Sequence, residues 1–104
     1  MKYLANAFSL NMVAQFPCTM HAREIPLDEA RAAAIDATSI VGHADTAAVM
    51  ASQLGMPVAA NRATVALKKG DVLVVGQYRG PRLPEGATAL PEGASISWYL
   101  VEIA

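Results

Sequence analysis

The sequence predicts an α/β fold, a single mixed β-sheet flanked by short helices, in one domain spanning residues 1–104. Three observations carry this expectation. Runs rich in apolar and β-branched residues recur at strand length, the clearest being Val72–Tyr78 and Ser95–Ile103. Between such runs lie helix starts and stops, with Pro26-Leu27-Asp28-Glu29 opening an Ala-rich stretch and Gly55 following Leu54. Finally, 104 residues that are 54% hydrophobic supply apolar material for one core.

Taken in order, Lys2–Ala7 reads as a short buried strand, and Ser9 as the N-cap of a short helix over Leu10–Gln15 that Pro17 ends. Thr19–Ile25 alternates as a strand, with His21 and Arg23 on one face and Met20, Ala22 and Glu24 on the other. Pro26 and the acids behind it start a helix that the alanines carry to Ala37. Ser39–Gly42 is a break before a helix that opens at Ala44 or Asp45 and closes at Leu54, with Gly55 at C′ and Pro57 beyond. Asn61–Leu67 and Val72–Tyr78 read as two strands of a hairpin turning through Lys68-Lys69-Gly70-Asp71. Arg79–Ala94 holds Leu-Pro-Glu-Gly-Ala twice and reads as a long functional loop before the last strand.

Charge narrows the function. Eight basic residues against nine acidic ones give a net charge of −1, too few cations to coat duplex DNA or RNA. A small anionic ligand needs only two or three. Charged residues are 16% of the chain, below the ~25% of an average domain, which favours self-association. Cys18 is alone, and the apolar N-terminal run is broken by Asn6 and Asn11, so neither a disulfide framework nor a signal peptide is expected. No apolar stretch approaches the ~20 residues that span a bilayer. The expected setting is the cytoplasm.

Several chemistries lack their residues. Two histidines with no H-x-x-x-H and no C-x-x-C offer zinc no evident ligands, so no metal or cofactor is expected. The phosphate-cradling glycine loops are missing too. His43 is the more interesting histidine, because it follows Gly42 and precedes a helix whose free N–H groups attract anions. There it either transfers protons beside a bound phosphate or merely packs a turn. Arg82 and Glu85, at i and i+3 of the loop, either meet a phosphate and its attacking hydroxyl or form a surface ion pair, and Arg79 is a rival for the same role. Ser9 and Asn11 can be cap residues, Asn61-Arg62 a ligand contact or a strand start, and Asp45-Thr46 helix capping. His21 and Cys18 read as structural, and Trp98 and Tyr99 as core or interface.

Taken together, Asn6-Ala7-Phe8-Ser9-Leu10-Asn11-Met12, Gly42-His43 with Thr46, Asn61-Arg62 and Arg82-Leu83-Pro84-Glu85-Gly86 resemble the family of small viral, phage and bacterial type III anti-CRISPR ring nucleases. The resemblance runs nearly end to end. It implies a mixed sheet flanked by helices in a symmetric homodimer, which binds cyclic tetra-adenylate and cuts it without a metal. It puts the catalytic histidine, arginine and glutamate at His43, Arg82 and Glu85, and ligand contacts at Asn6, Ser9, Asn11, Thr46 and Arg62. The chain departs from some relatives in its short Ala-rich stretch between Ile25 and Ser39, at Asp45 where some carry Ser, and at Pro81 before the arginine.

Such cleavage suits these residue types. The neighbouring 2′-hydroxyl is the nucleophile, so the protein must align it, stabilise the phosphorane and protonate the departing 5′-oxygen. A ring of four identical nucleotides shares two-fold symmetry with a dimer, so one histidine per chain suffices. Two other functions fit the sequence: a protein that sequesters the ring without cutting it, and a small dimeric viral structural or regulatory protein.

Overall fold

In the computed structural model, which describes all 104 residues, five strands form one mixed sheet in the order β2-β5-β4-β1-β3. The strands are β1 (Lys2–Ala5), β2 (Met20–Ile25), β3 (Thr38–Ser39), β4 (Val72–Arg79) and β5 (Ser95–Ile103). The helices are α1 (Leu27–Ala34) and α2 (Ala44–Leu54). β1 runs parallel to both β3 and β4, whereas β5 is antiparallel to β4 and to β2. The mixed sheet and the flanking helices are as the sequence predicts.

β4 lies at the centre, which explains its unbroken apolar run: residues of Val72-Leu73-Val74-Val75 meet packing on both faces. On one face Val74 joins Leu4, Ile25, Trp98 and Leu100 beneath α1 and α2, which add Ala30, Ala34, Ala47, Met50 and Leu54. On the other face Ala5, Leu73, Val75, Val101 and Ile103 pack with Leu67, and Phe8 and Met12 help to cover them. The small side chains of Ala30 and Ala34 let α1 sit close to the sheet. Gly55 closes α2 at φ 69°, donating its N–H to the Ala51 carbonyl at 2.8 Å.

Three expectations need correction. Asn61–Leu67 is not a strand of a hairpin, because both edges of β4 are already taken by β5 and β1. Instead Asn61 donates from its backbone N–H to Val41 at 2.7 Å, and Leu67 exchanges bonds with Met12 and Ala14 at 2.6 and 2.7 Å. The turn itself survives: the Asp71 N–H donates to the Lys68 carbonyl, and the Asp71 carboxylate accepts from the Lys68 N–H at 3.1 Å. The helix expected over Leu10–Gln15 is a single 3₁₀ turn, Leu10–Met12, capped by Ser9. The break at Ser39–Gly42 begins as a strand, since Thr38 and Ser39 pair with Tyr3 and Leu4. Elsewhere the differences are at element ends: β1 stops at Ala5 and α1 at Ala34.

Asp71 is the one buried charged side chain. Burial pushes its carboxyl pKa up, but the Lys68 N–H and the Met1 ammonium, 3.1 Å away, outweigh this and hold it below the usual carboxylate value.

Candidate active site

The C-terminal ends of the parallel strands β1, β3 and β4 lie on one side of the sheet, where open α/β sheets place their ligands. β3 leads through Val41-Gly42-His43 into α2, and β4 leads into the loop Gly80–Ala94 that returns as β5. His43 is the N-cap residue of α2 in extended conformation (φ −122°, ψ 130°), and its side chain makes no capping bond. His43 is exposed, and the first-turn N–H groups, not taken up by a side-chain cap, keep their attraction for an anion.

The loop is folded back towards this helix end. Each Leu-Pro-Glu-Gly-Ala repeat makes one β-turn, in which the Ala87 N–H donates to Pro84 and the Ala94 N–H to Pro91, both at 3.1 Å. Gly86 and Gly93 occupy the left-handed third position (φ 80°) that suits glycine. The Asp45 carboxylate, in the first turn of α2, accepts the Gly86 N–H at 3.1 Å. The Tyr78 hydroxyl, near the end of β4, donates to the Pro81 carbonyl at 2.6 Å. At Gly80 (φ 149°) a Cβ would come within 2.7 Å of the Ala94 Cβ, so the two loop ends touch only because that residue is glycine.

Between the loop and α2 lies an open cleft of about 790 Å³, lined by His43, Asp45, Thr46, Tyr78, Gly80, Arg82, Leu83 and Glu85. Its size is within the range of small-molecule sites, and only two of its eight lining residues are hydrophobic. An imidazole, a guanidinium and a carboxylate thus meet beside a helix start. Such a set can bind a phosphodiester, neutralise charge developing on it and move protons.

The same chain matches one family over residues 2–95. It belongs to the STIV B116-like family. Among solved structures it is similar to B116 of Sulfolobus turreted icosahedral virus, with a TM-score of 0.82, 25% identity and 97% of each chain covered. No curated protein is similar enough to count as a relative.

In this B116-like chain the cleft gathers four of the residues singled out in the sequence: His43, Thr46, Arg82 and Glu85. Arg79 is absent from its lining, because Arg79 ends β4 opposite Ser95. Arg62 is next to the cleft rather than in it. Its side chain lies against Gly42, 3.6 Å from where a Cβ there would be. Asn61 is fixed beside it by donating from Nδ2 to the Ser39 carbonyl at 2.9 Å. Asn6 and Asn11 line a separate cavity of about 280 Å³ with Ile40, Ala63, Thr64 and Val65. Ser9 lines neither cavity and accepts the Asn11 N–H at 3.2 Å. His21 is exposed on β2 opposite Glu102. No three His, Cys, Asp or Glu side chains converge as a metal site requires, and no helix is long and apolar enough to cross a membrane.

Two cleft residues escaped the sequence reading. Asp45 reads as helix capping, yet its bond goes to the loop. Tyr78 reads only as the end of a strand. A signal for Asp45 existed in the paired turn motif, since a glycine-containing turn presents an N–H that an acid can accept.

Proposed function

We propose that this chain is a metal-independent ring nuclease that opens cyclic tetra-adenylate to linear di-adenylate and so shuts off type III CRISPR signalling. The observation that carries the reading is the meeting of His43, Thr46, Arg82 and Glu85 on one open cleft at the start of α2. The resemblance gives these residues catalytic and ligand roles, and it is the source of the ring as substrate. Membership of a family named for a viral protein is in keeping with it.

In this mechanism the ring phosphate sits at the first turn of α2, held by its N–H groups and by Thr46. The 2′-oxygen attacks phosphorus and gives its proton to Glu85, while Arg82 faces the phosphorane oxygens. The bond to the 5′-oxygen breaks as His43 delivers a proton to it. The products are a 2′,3′-cyclic phosphate and a 5′-hydroxyl, with no water consumed. Arg62, Asn6, Ser9 and Asn11 contact the ring away from the scissile phosphate. The working unit is a two-fold homodimer in the cytoplasm, which sets two clefts against opposite phosphates of one ring.

Incubating cyclic tri-, tetra- and hexa-adenylates with excess protein and identifying the products tests the reading. Linear di-adenylate from the tetramer is expected. Binding with no cut ring would make the chain a sequestering protein, and no binding of any ring would leave a viral-type structural or regulatory protein.

A further inference from the structure

Two hydrogen bonds bracket the segment that carries Arg82 and Glu85. Tyr78 holds the carbonyl of Pro81, just before Arg82, and Asp45 holds the N–H of Gly86, just after Glu85. Both anchors stand on regular structure, Tyr78 on β4 and Asp45 on the first turn of α2. The β4–β5 pairing ends at Arg79 and Ser95, so fifteen residues, Gly80 to Ala94, would otherwise be fixed only at their ends.

Asp45 is two residues beyond His43 on the same helical turn. Its bond to Gly86 therefore ties the loop that carries Glu85 to the helix start that carries His43. Asp45 stands at the second position of α2, past the N-cap His43, and its oxygen accepts from the loop. A carboxylate accepting an amide is a charge-assisted bond, stronger than a neutral one.

We infer that Asp45 is a positioning residue: through the Gly86 N–H it holds Arg82 and Glu85 in register with His43, with Tyr78 fixing the other side of the same segment. This rests on the cleavage proposed for the cleft. Asp45 touches no reacting atom. It acts by tying the loop to the start of α2, so its loss lowers the rate of cutting more than the affinity for the ring.

The test compares Asp45→Ala, Asp45→Asn and Tyr78→Phe with the wild-type chain. Single-turnover cleavage of cyclic tetra-adenylate should fall about 10- to 100-fold in Asp45→Ala, the usual cost of a small misplacement of catalytic groups. Affinity for a 2′-deoxy ring should hardly change. Asp45→Asn keeps an oxygen acceptor for Gly86 and should restore most of the rate, and Tyr78→Phe should fall between. A wild-type rate in Asp45→Ala, or an Asp45→Asn variant as slow as Asp45→Ala, overturns the inference. Amide hydrogen exchange at Gly86 gives a readout that needs no turnover. Slow exchange in wild type and fast exchange in Asp45→Ala are expected, and equal exchange in both overturns the inference. If the wild-type chain cuts no ring, the proposed function fails, and the exchange comparison still decides whether Asp45 holds the loop.

Discussion

The indole of Trp98 lies directly on Gly76: a Cβ at position 76 would come within 2.6 and 2.8 Å of its ring and 3.0 Å of the Met50 methyl. The two residues face each other across the β4–β5 pairing. Glycine here lets a bulky ring fill the space between the sheet and α2, whose N-cap is His43.

Gly76→Ala should therefore destabilise the fold by about 1–3 kcal/mol, the range for overpacking a filled core. Urea denaturation followed by Trp98 fluorescence measures it. An unchanged midpoint would mean that the indole can move aside at no cost.

Asp71 gives a pH signature. Its carboxyl pKa is lowered on folding, so the carboxylate contributes stability above the ordinary value of about 3.8 and loses it as the pH falls through the lower folded value. Asp71→Asn should cost roughly 1–3 kcal/mol at pH 7, as expected for breaking a buried hydrogen-bonded charge. The gap to wild type should narrow below pH 3.8. Thermal melts of both chains from pH 7 to pH 2.5 check the trend, and a gap that stays constant contradicts it.

How much of this was legible in the sequence depended on whether a signal was local. β5 is legible to the residue, because Ser95–Ile103 is rich in β-branched and aromatic residues and follows the turn at Gly93. The end of α2 is too, since Gly55 is a local stop signal, whereas its start is open between Ala44 and Asp45. Asn61–Leu67 departs from the expected strand because strand composition does not say whether a partner edge is free, and β4 has none left. The same limit applies to the cleft. His43, Arg82 and Glu85 could be named from their types and the resemblance, but the Asp45–Gly86 bond spans 41 residues and exists only once the loop folds back.

A homodimer is expected in solution. Charged residues are only 16% of the chain, and the proposed cleavage sets two clefts against one two-fold symmetric ring. Light scattering at micromolar concentration should give twice the chain mass of 10.9 kDa. A monomer with and without cyclic tetra-adenylate would contradict the dimer.

Cleavage should survive a chelator. The proposed steps use only the 2′-hydroxyl and the side chains of His43, Arg82 and Glu85. Rates in excess EDTA, with and without added divalent ions, measure this. Activity lost in EDTA and restored by a divalent ion would require a different mechanism.

Cleavage at the His43 cleft is tested by a single-turnover assay on cyclic tetra-adenylate with wild type, His43→Ala and Arg82→Ala, run beside a ring lacking 2′-hydroxyls. Wild type should give linear di-adenylate ending in a 2′,3′-cyclic phosphate. His43→Ala should bind the ring about as tightly but cut it roughly 10²–10⁴-fold more slowly, as loss of a general acid predicts. Arg82→Ala should also be slowed, and the deoxy ring should bind and remain whole. A deoxy ring that is cut would rule out attack by the 2′-hydroxyl, and a His43→Ala chain at the full wild-type rate would rule out His43 as the general acid.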